Sequence, residues 1–367
     1  MRVQRVMMSA DAVGGVWTYA LELARGLAEE GVETLLAVLG PAPGPQQRAE
    51  ASAIPGLRLR HGDFPLEWMH DAMPAQDAAG AWLLALARDF APDVVHLNHY
   101  CHGHLDWPAP ALVVAHSCVF SWHAHVRGRP PGPEWQAYRD GVTRGLRGAA
   151  LVVAPTRAML ADAERHYGPF RAGRVVHNGR RAEDFPPRPK RALVLSAGRL
   201  WDEAKNVGAL AVAGHSLPWP VHVAGEARHP EGGVAGFDGL HPLGRLDAAR
   251  MAAAYGEAAI YALPARYEPF GLSALEAALA GCALVLGDIP SLRELWDGAA
   301  TFVPPDDPDA IAAALHALVE DAPERERRAA LARARAATYS SARTTAAYLD
   351  AYSRLIHANH EATACTS

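Results

Sequence analysis

The chain has 367 residues, half of them apolar and a fifth charged, which exceeds what one ordinary core needs and fits two domains. That mixture excludes a disordered scaffold. With 40 acidic against 35 basic residues the net charge is -5, and no basic tract of the kind that drives nonspecific nucleic-acid affinity occurs, so nucleic acid is not an expected partner.

Short apolar runs alternate with helical patterns along almost the whole chain, the rhythm of a doubly wound parallel sheet. In the first half strands are predicted at 3–8, 33–39, 94–97, 112–115, 151–154 and 175–177, most of them continuous apolar runs suited to burial on both faces. A first helix over 16–29 places Ala20, Leu23, Ala24 and Leu27 on one face and stops at Gly31. Gly14-Gly15 sits in the turn between the first strand and this helix, where glycine lets the backbone approach an anion at a helix N-terminus. The G-x-G-x-x-G pattern of dinucleotide sites is absent, so the turn alone is weak evidence.

After Asn178-Gly179, the prolines 186, 187 and 189 cannot continue a helix or a central strand and read as a linker ending near Lys190. The rhythm then restarts, with strands predicted at 193–197, 221–224, 260–263 and 284–286 and helices at 207–213, 248–255, 271–280 and 311–318. A charged helix over 323–337 precedes a last one over 344–356. The expected division is a lobe over 1–185, a second over 186–339, and a closing segment over 340–367. Two such sheets imply a cleft, because ligands in open α/β sheets bind at the carboxyl ends of the strands.

Cys101, Cys118, Cys282 and Cys365 form no C-x-x-C pair, so neither a disulfide framework nor a zinc knuckle is readable and a reducing cytoplasm is the expected compartment. Val6-Met7-Met8 is too short for a signal segment and no apolar run reaches the roughly 18 residues of a spanning helix. Contact with a membrane surface stays open, and oligomeric state is unreadable.

The most informative stretch runs from Pro264 to Glu276 and contains Glu268-Pro269-Phe270-Gly271-Leu272. It follows a strand and opens a helix, so the amides of Phe270, Gly271 and Leu272 are expected to point out of the helix N-terminus towards a phosphate or a hydroxyl. If the interval were wholly helical, Glu268 and Glu276 would stand about 12 Å apart at roughly 1.5 Å per residue, farther than the pair of a glycosidase. Two carboxylates gripping different parts of an extended ligand fit that spacing, and a solvated pair is the alternative. A second cluster, Gly198-Arg199-Leu200-Trp201-Asp202-Glu203-Ala204-Lys205, holds one of the only two lysines, the other being Lys190. A guanidinium and an ammonium at a strand end can neutralise a diphosphate, although surface pairing with Asp202 and Glu203 would explain the same residues.

Two other groups attract attention. His96, His99, His102 and His104, near Cys101 and Cys118, match no firm metal spacing; contact with an acceptor is the expected role. Asp306, Asp307 and Asp309 read as capping or solvated residues rather than as a metal motif, and Arg127, Arg129, Arg139, Arg144 and Arg147 as a solvated face with local ion pairs.

Taken together, Gly14-Gly15, His116, Pro155-Thr156, Asn178-Gly179, Gly198-Arg199, Lys205, the Glu268-x7-Glu276 arrangement and Glu294 resemble the retaining glycosyltransferases of the GT-B fold, family 4 type (glycosyl transferases group 1). The resemblance implies two Rossmann-like lobes with parallel sheets facing a central cleft, the first binding the acceptor and the second a nucleotide sugar, with the last helix crossing back to the first lobe. It also implies catalytic roles for Glu268, His116, Arg199 and Lys205. Donor binding would fall to Gly14, Gly15, Arg199, Lys205, Gly244, Arg245, Leu246, Glu268, Phe270, Gly271, Leu272 and Glu276, with Glu276 on the ribose and Gly244-Arg245-Leu246 near the base. No metal and no cofactor is implied; a UDP-, GDP- or ADP-sugar would be the substrate, and a small molecule, a glycan or a lipid-linked group the acceptor. Two departures stand out: the Arg199 to Lys205 interval is one residue longer than the commonest version, and Arg180 follows Asn178-Gly179 where an apolar residue is usual. A sugar-nucleotide epimerase of the same fold and a two-lobed sugar-binding module are the alternatives.

Overall fold

The computed structural model describes residues 2–228 and 238–364, with side chains to residue 361; Cys365 lies outside. The chain forms two compact units, one built from residues 1–124, 129–178 and 341–367 and the other from 125–128 and 179–340.

The first unit contains β1 (Arg5–Asp11), α1 (Gly15–Glu29), β2 (Glu33–Leu39), α2 (Pro45–Ser52), β3 (Leu57–Gly62), α3 (Gln76–Phe90), β4 (Val94–Leu97), β5 (Ala111–Val114), α4 (Val119–Trp122), α5 (Gln136–Gly148), β6 (Leu151–Ala154), α6 (Arg157–Tyr167) and β7 (Gly173–Val175). Its strands lie in the order β3-β2-β1-β4-β5-β6-β7, every pairing parallel. The order reverses between β1 and β4, which pair through Val6↔Val94 and Met8↔His96, so loops leaving their carboxyl ends part and leave room for a ligand. The continuous apolar runs are buried on both faces, as parallel strands must be. β3 escapes sequence detection because it is an edge strand whose exposed Arg58 and Arg60 alternate with half-buried leucines.

The second unit contains β8 (Arg191–Ala197), α7 (Val207–Gly214), β9 (Val221–Ala224), β10 (His241–Gly244), α8 (Ala248–Glu257), β11 (Ala258–Leu263), α9 (Leu272–Leu279), β12 (Ala283–Gly287), α10 (Pro290–Trp296), β13 (Thr301–Val303), α11 (Pro308–Glu320) and α12 (Ala322–Ala336). Its order is β10-β9-β8-β11-β12-β13, again all parallel, with the reversal between β8 and β11. One face of the sheet packs on a core holding Leu195, Tyr261, Leu275 and Trp296, the other on a core of Val194, Leu210, Ile260 and Ile311. The proline-rich stretch predicted as a linker belongs to this unit: Phe185 is buried in the first of these cores, and Lys190 donates to the Ala280 carbonyl at 2.8 Å, satisfying the end of α9.

The last helix, α13 (Ser341–Ala364), belongs to the first unit. It buries Tyr348 and Tyr352 in the core that also holds Leu23, Leu27, Leu36 and Val153. Glycine at position 26 on α1 permits that approach, since a Cβ there would overlap Thr345 Oγ1 and lie 3.1 Å from Thr345 Cβ. The Thr344 hydroxyl donates to the His177 carbonyl at 2.9 Å and fixes the start of the helix.

Candidate functional site

The loops at the carboxyl edge of the second sheet meet through backbone contacts. Gly198 N–H donates to the Ala224 carbonyl at 3.0 Å, Gly225 N–H to the Gly244 carbonyl at 2.9 Å, and Arg266 N–H to the Ala204 carbonyl at 2.9 Å. Gly225 has φ +144°, and a Cβ there would collide with the Gly198 carbonyl oxygen, so only glycine lets the loops after β8 and β9 lie this close. The Tyr261 hydroxyl lies 2.7 Å from Ser273 Oγ and 3.2 Å from the Ala197 carbonyl, tying the end of β8 to the start of α9.

Within this frame Lys205 and Glu268 are brought together as an ion pair, 63 residues apart in sequence. Lys205 ends a short turn of 3-10 helix, its stem lying 3.6–3.7 Å from a Cβ position on Gly198. Its side chain is 15% exposed and that of Glu268 12%, so both charges face little water. Glu268 is fixed three ways: its Oε2 meets Lys205, its Oε1 accepts from Gly271 N–H at 3.0 Å, and its carbonyl accepts from Ser291 Oγ at 2.6 Å. The interval to Glu276 is not wholly helical, because Gly271 is left-handed (φ 85°) and α9 begins only at Leu272. The estimate of about 12 Å, built on an unbroken helix, therefore does not describe this segment. Nor are all three expected amides turned outward, since that of Gly271 is engaged by Glu268.

Arg199 lies on the same loop as Lys205, but its guanidinium pairs with Asp202 at 2.8 Å and stacks 5.4 Å from the Trp201 ring. Asp202 also accepts from Ala204 N–H at 3.0 Å, so it caps the turn that carries Lys205. The alternative of local pairing thus holds for Arg199 with Asp202 and not for Lys205, whose partner is Glu268.

Phe270 is buried, its ring 5.9 Å from that of Tyr339, so the side chain is part of the core and only its backbone faces the loop. Leu246 also packs partly on that core, while Gly244 and Arg245 are exposed at and just beyond the end of β10. Glu294 lies half-buried on α10. Glu276 is held by a different partner from Glu268: Arg180 Nε lies 3.0 Å from its Oε1, with both side chains 13% exposed. The pKa of the buried Tyr255 hydroxyl is raised well above the usual value, first by burial and then by the nearby charge of the Glu276 carboxylate.

The first unit carries the remaining candidates. Gly14 and Gly15 are exposed at the end of β1, where Asp11 Oδ1 accepts from Val13 N–H at 2.7 Å and shapes the turn into α1. His116 follows β5; its ring packs edge-on to Tyr19 at 4.5 Å and its Nε2 is 2.7 Å from Asn98 Oδ1. The Asn98 amide donates to the Ser9 carbonyl at 2.6 Å, which turns its oxygen towards His116. The imidazole must then donate through Nε2–H, leaving Nδ1 as its acceptor. Burial pushes its pKa down to about 3, so the ring is neutral near pH 7.

Three of the four histidines expected to contact an acceptor, His96, His99 and His102, are instead buried, whereas His104 is exposed. His96 is fully buried, with Nε2 3.1 Å from the Tyr19 hydroxyl and Nδ1 2.6 Å from that of Tyr352, which ties α1, β4 and α13 together. His99 lies 3.2 Å from Ser9 Oγ, His102 3.2 Å from the Gln76 carbonyl, and His104 2.8 Å from the Cys101 carbonyl. Each serves its own backbone or core partner, and among the described residues no three His, Cys, Asp or Glu side chains are grouped to hold a metal ion. Asp307 caps α11 by accepting from Ala310 N–H at 2.9 Å, and Asp306 pairs with Arg266 at 2.5 Å. Of the basic face, Arg147 donates to the Tyr167 and Gly168 carbonyls and Arg139 stacks 5.4 Å from Phe120.

Sequence reasoning missed Gly225, Ser291 and Tyr255, and it noted Arg180 only as a departure, without its partner Glu276. A glycine directly after the apolar run 221–224 was the available signal for the first. The others act across long separations, where no local pattern points to them.

Comparison with known proteins agrees with this architecture. Residues 13–184 match the family profile described as Glycosyltransferase Family 4, and residues 191–321 that described as Glycosyl transferases group 1. The chain is 29% identical to a D-inositol 3-phosphate glycosyltransferase of Xylanimonas cellulosilytica, over 93% of this chain and 92% of that protein. It is also 29% identical to a phosphatidyl-myo-inositol mannosyltransferase of Mycolicibacterium smegmatis, over 85% and 83%. Among solved structures, sucrose-phosphate synthase of Thermosynechococcus elongatus superposes with a TM-score of 0.78 at 17% identity, covering 97% of this chain and 100% of that one. An Anabaena protein, HepE, in complex with UDP and glucose gives 0.75 at 14% identity, covering 96% and 99%. With two Rossmann-like parallel sheets and both family profiles matched in order, the chain belongs to the family 4, group 1 glycosyltransferases of the GT-B fold.

Proposed function

We propose that the protein transfers a sugar from a nucleotide-sugar donor to a hydroxyl acceptor with retention of configuration and without a metal ion. The observation that carries this reading is the Lys205–Glu268 pair at the start of α9, on the edge of a parallel sheet where its strand order reverses. Departure of the diphosphate places negative charge on the leaving oxygens and positive charge on the anomeric carbon. A fixed ammonium at Lys205, joined by Arg199 once it turns from Asp202, stabilises that charge more in the transition state than before it. In this reading the two cations supply what a divalent ion supplies in other transferases. Glu268, anchored through Gly271 and Ser291, holds the hydroxyls of the transferred ring, and Gly244-Arg245-Leu246 lies near the base.

In the reaction the bond between anomeric carbon and phosphate oxygen breaks and one from that carbon to the acceptor oxygen forms on the same face. The acceptor's proton passes to an oxygen of the leaving diphosphate. Family resemblance gives Gly14, Gly15 and His116 donor-side roles. The neutral His116, with Nδ1 as acceptor, is suited to receiving a hydroxyl hydrogen rather than to protonating a leaving group. The acceptors printed in the names of the relatives, D-inositol 3-phosphate and phosphatidyl-myo-inositol, make a phosphorylated or lipid-linked inositol the first acceptor class to test. The buried cysteines Cys101, Cys118 and Cys282 suit a reducing cytoplasm. Among the described residues no helix is long and apolar enough to cross a membrane.

The experiment is nucleotide release from UDP-, GDP- and ADP-sugars with and without these acceptors, with product analysed for anomeric configuration and the assay repeated in chelator. Acceptor-dependent release with a retained anomer and no chelator effect is expected. Conversion of donor without acceptor identifies an epimerase, and binding with no turnover a sugar-binding module.

A further inference from the structure

Arg180 follows Asn178-Gly179 at the start of the second unit, and its surroundings give it a function. Its Nε lies 3.0 Å from Glu276 Oε1, the two side chains each 13% exposed. The guanidinium packs 5.1 Å from the Phe185 ring, and its backbone N–H donates to the Tyr339 carbonyl at 3.1 Å beside a bridge to Ser340. The arginine is therefore held on three sides: by an aromatic face, by a neighbouring chain segment, and by the carboxylate it meets. Glu276 in turn has the Arg180 guanidinium against its Oε1, and its charge is felt by the buried Tyr255 hydroxyl.

A carboxylate with so little exposure, on the second turn of α9, is costly to hold in place without a cation beside it. Ionised, its two oxygens carry about four acceptor sites, so partners on one side leave capacity on the other. We propose that Arg180 is a positioning residue that holds the Glu276 carboxylate in the orientation in which it accepts hydrogen bonds from the ribose hydroxyls of the bound nucleotide. The inference rests on the donor reading above and adds a residue to it. An apolar residue at 180 leaves the carboxylate to its other neighbours, whereas the arginine couples ribose recognition to the segment at Tyr339 and Ser340.

The test is calorimetric binding of UDP, GDP and ADP, and of their 2′,3′-dideoxy counterparts, to wild type, Arg180→Met and Arg180→Lys. Wild type is expected to favour at least one ribose form by about tenfold or more, the scale of one charge-assisted hydrogen bond. Arg180→Met should lose at least about fivefold in affinity for that ribose form, change less than about twofold for the dideoxy form, and so flatten the ratio. Arg180→Lys should restore most of it. If Met at 180 does not fold, Arg180→Gln, which removes the charge but keeps a donor, carries the same comparison. A ratio that survives loss of the arginine, or parallel losses for both ligands, overturns the inference and leaves the donor reading standing. A wild type that binds none of the three diphosphates overturns the donor reading and the inference with it.

Discussion

Replacing Lys205 with methionine tests the proposed diphosphate contact and the packing of the site together. The methionine keeps much of the stem that lies over Gly198 and removes the ammonium, which leaves Glu268 without its cation at 12% exposure. Breaking a fully buried ion pair costs about 3–5 kcal/mol, and the residual exposure here brings the expected loss to roughly 2–3 kcal/mol. At roughly 2–4 °C per kcal/mol for a unit of this size, the melting temperature should fall by roughly 4–12 °C. Turnover should fall independently. Losing a charge-assisted hydrogen bond to the leaving group removes about 1.5–3 kcal/mol, so kcat/KM should drop by roughly ten- to a hundredfold. The double variant Lys205→Met with Glu268→Gln removes both charges and should recover most of the stability and none of the activity. Nucleotide release and calorimetry on the three proteins separate the two effects. A folded Lys205→Met enzyme within threefold of wild-type kcat/KM, or a double variant whose activity returns with its stability, would refute the reasoning.

Two further outcomes follow from the first unit. Gly26→Ala places a methyl against Thr345 and should destabilise the protein by about 1–3 kcal/mol, whereas adding Thr345→Ala should recover much of this; simple additivity in denaturant midpoints would show that the α1–α13 contact does not set the cost. His96, His99 and His116 have pKa values pushed down to about 3 and His102 to about 4, burial being the first cause in each. The unfolded chain therefore takes up protons first as pH falls below about 6.5, and stability should decline from there towards pH 4, approaching about 1.4 kcal/mol per pH unit for each histidine. Glu67, raised by burial, contributes with the opposite sign in the window just above its ordinary value and reduces the slope without reversing it. Urea midpoints between pH 7.5 and 5 measure the trend, and a level or rising profile with falling pH refutes it.

The parallel sheets and most of the second unit's loop cluster were legible in the sequence because their signals are local. A run such as Leu193 to Ala197 followed by Gly198-Arg199 announces a buried strand and a loop at its carboxyl end. Asp307, three residues ahead of the amide it caps, is legible for the same reason. What stayed hidden depends on distance along the chain. Nothing near Lys205 names Glu268, 63 residues on, and the nearby acids Asp202 and Glu203 suggested a different partner. The histidine segment misled because a cluster of imidazoles at a strand end looks exposed until Tyr19 and Tyr352 cover His96 from two other helices. β10, with four exposed residues including a proline, carries almost no apolar pattern to read.

Return of α13 to the first unit also fixes an order of assembly. The segment 179–340 is continuous and can consolidate as it leaves the ribosome, whereas the amino-terminal core waits for Tyr348, Ala351, Tyr352 and Ile356, the last of its buried members to be synthesised. Until then the surface around Gly26 and His96 stays uncovered, so the part of the polypeptide made earliest is the part completed latest. A nascent chain stalled before residue 341 would present that unsealed face to chaperones and proteases for as long as translation is delayed.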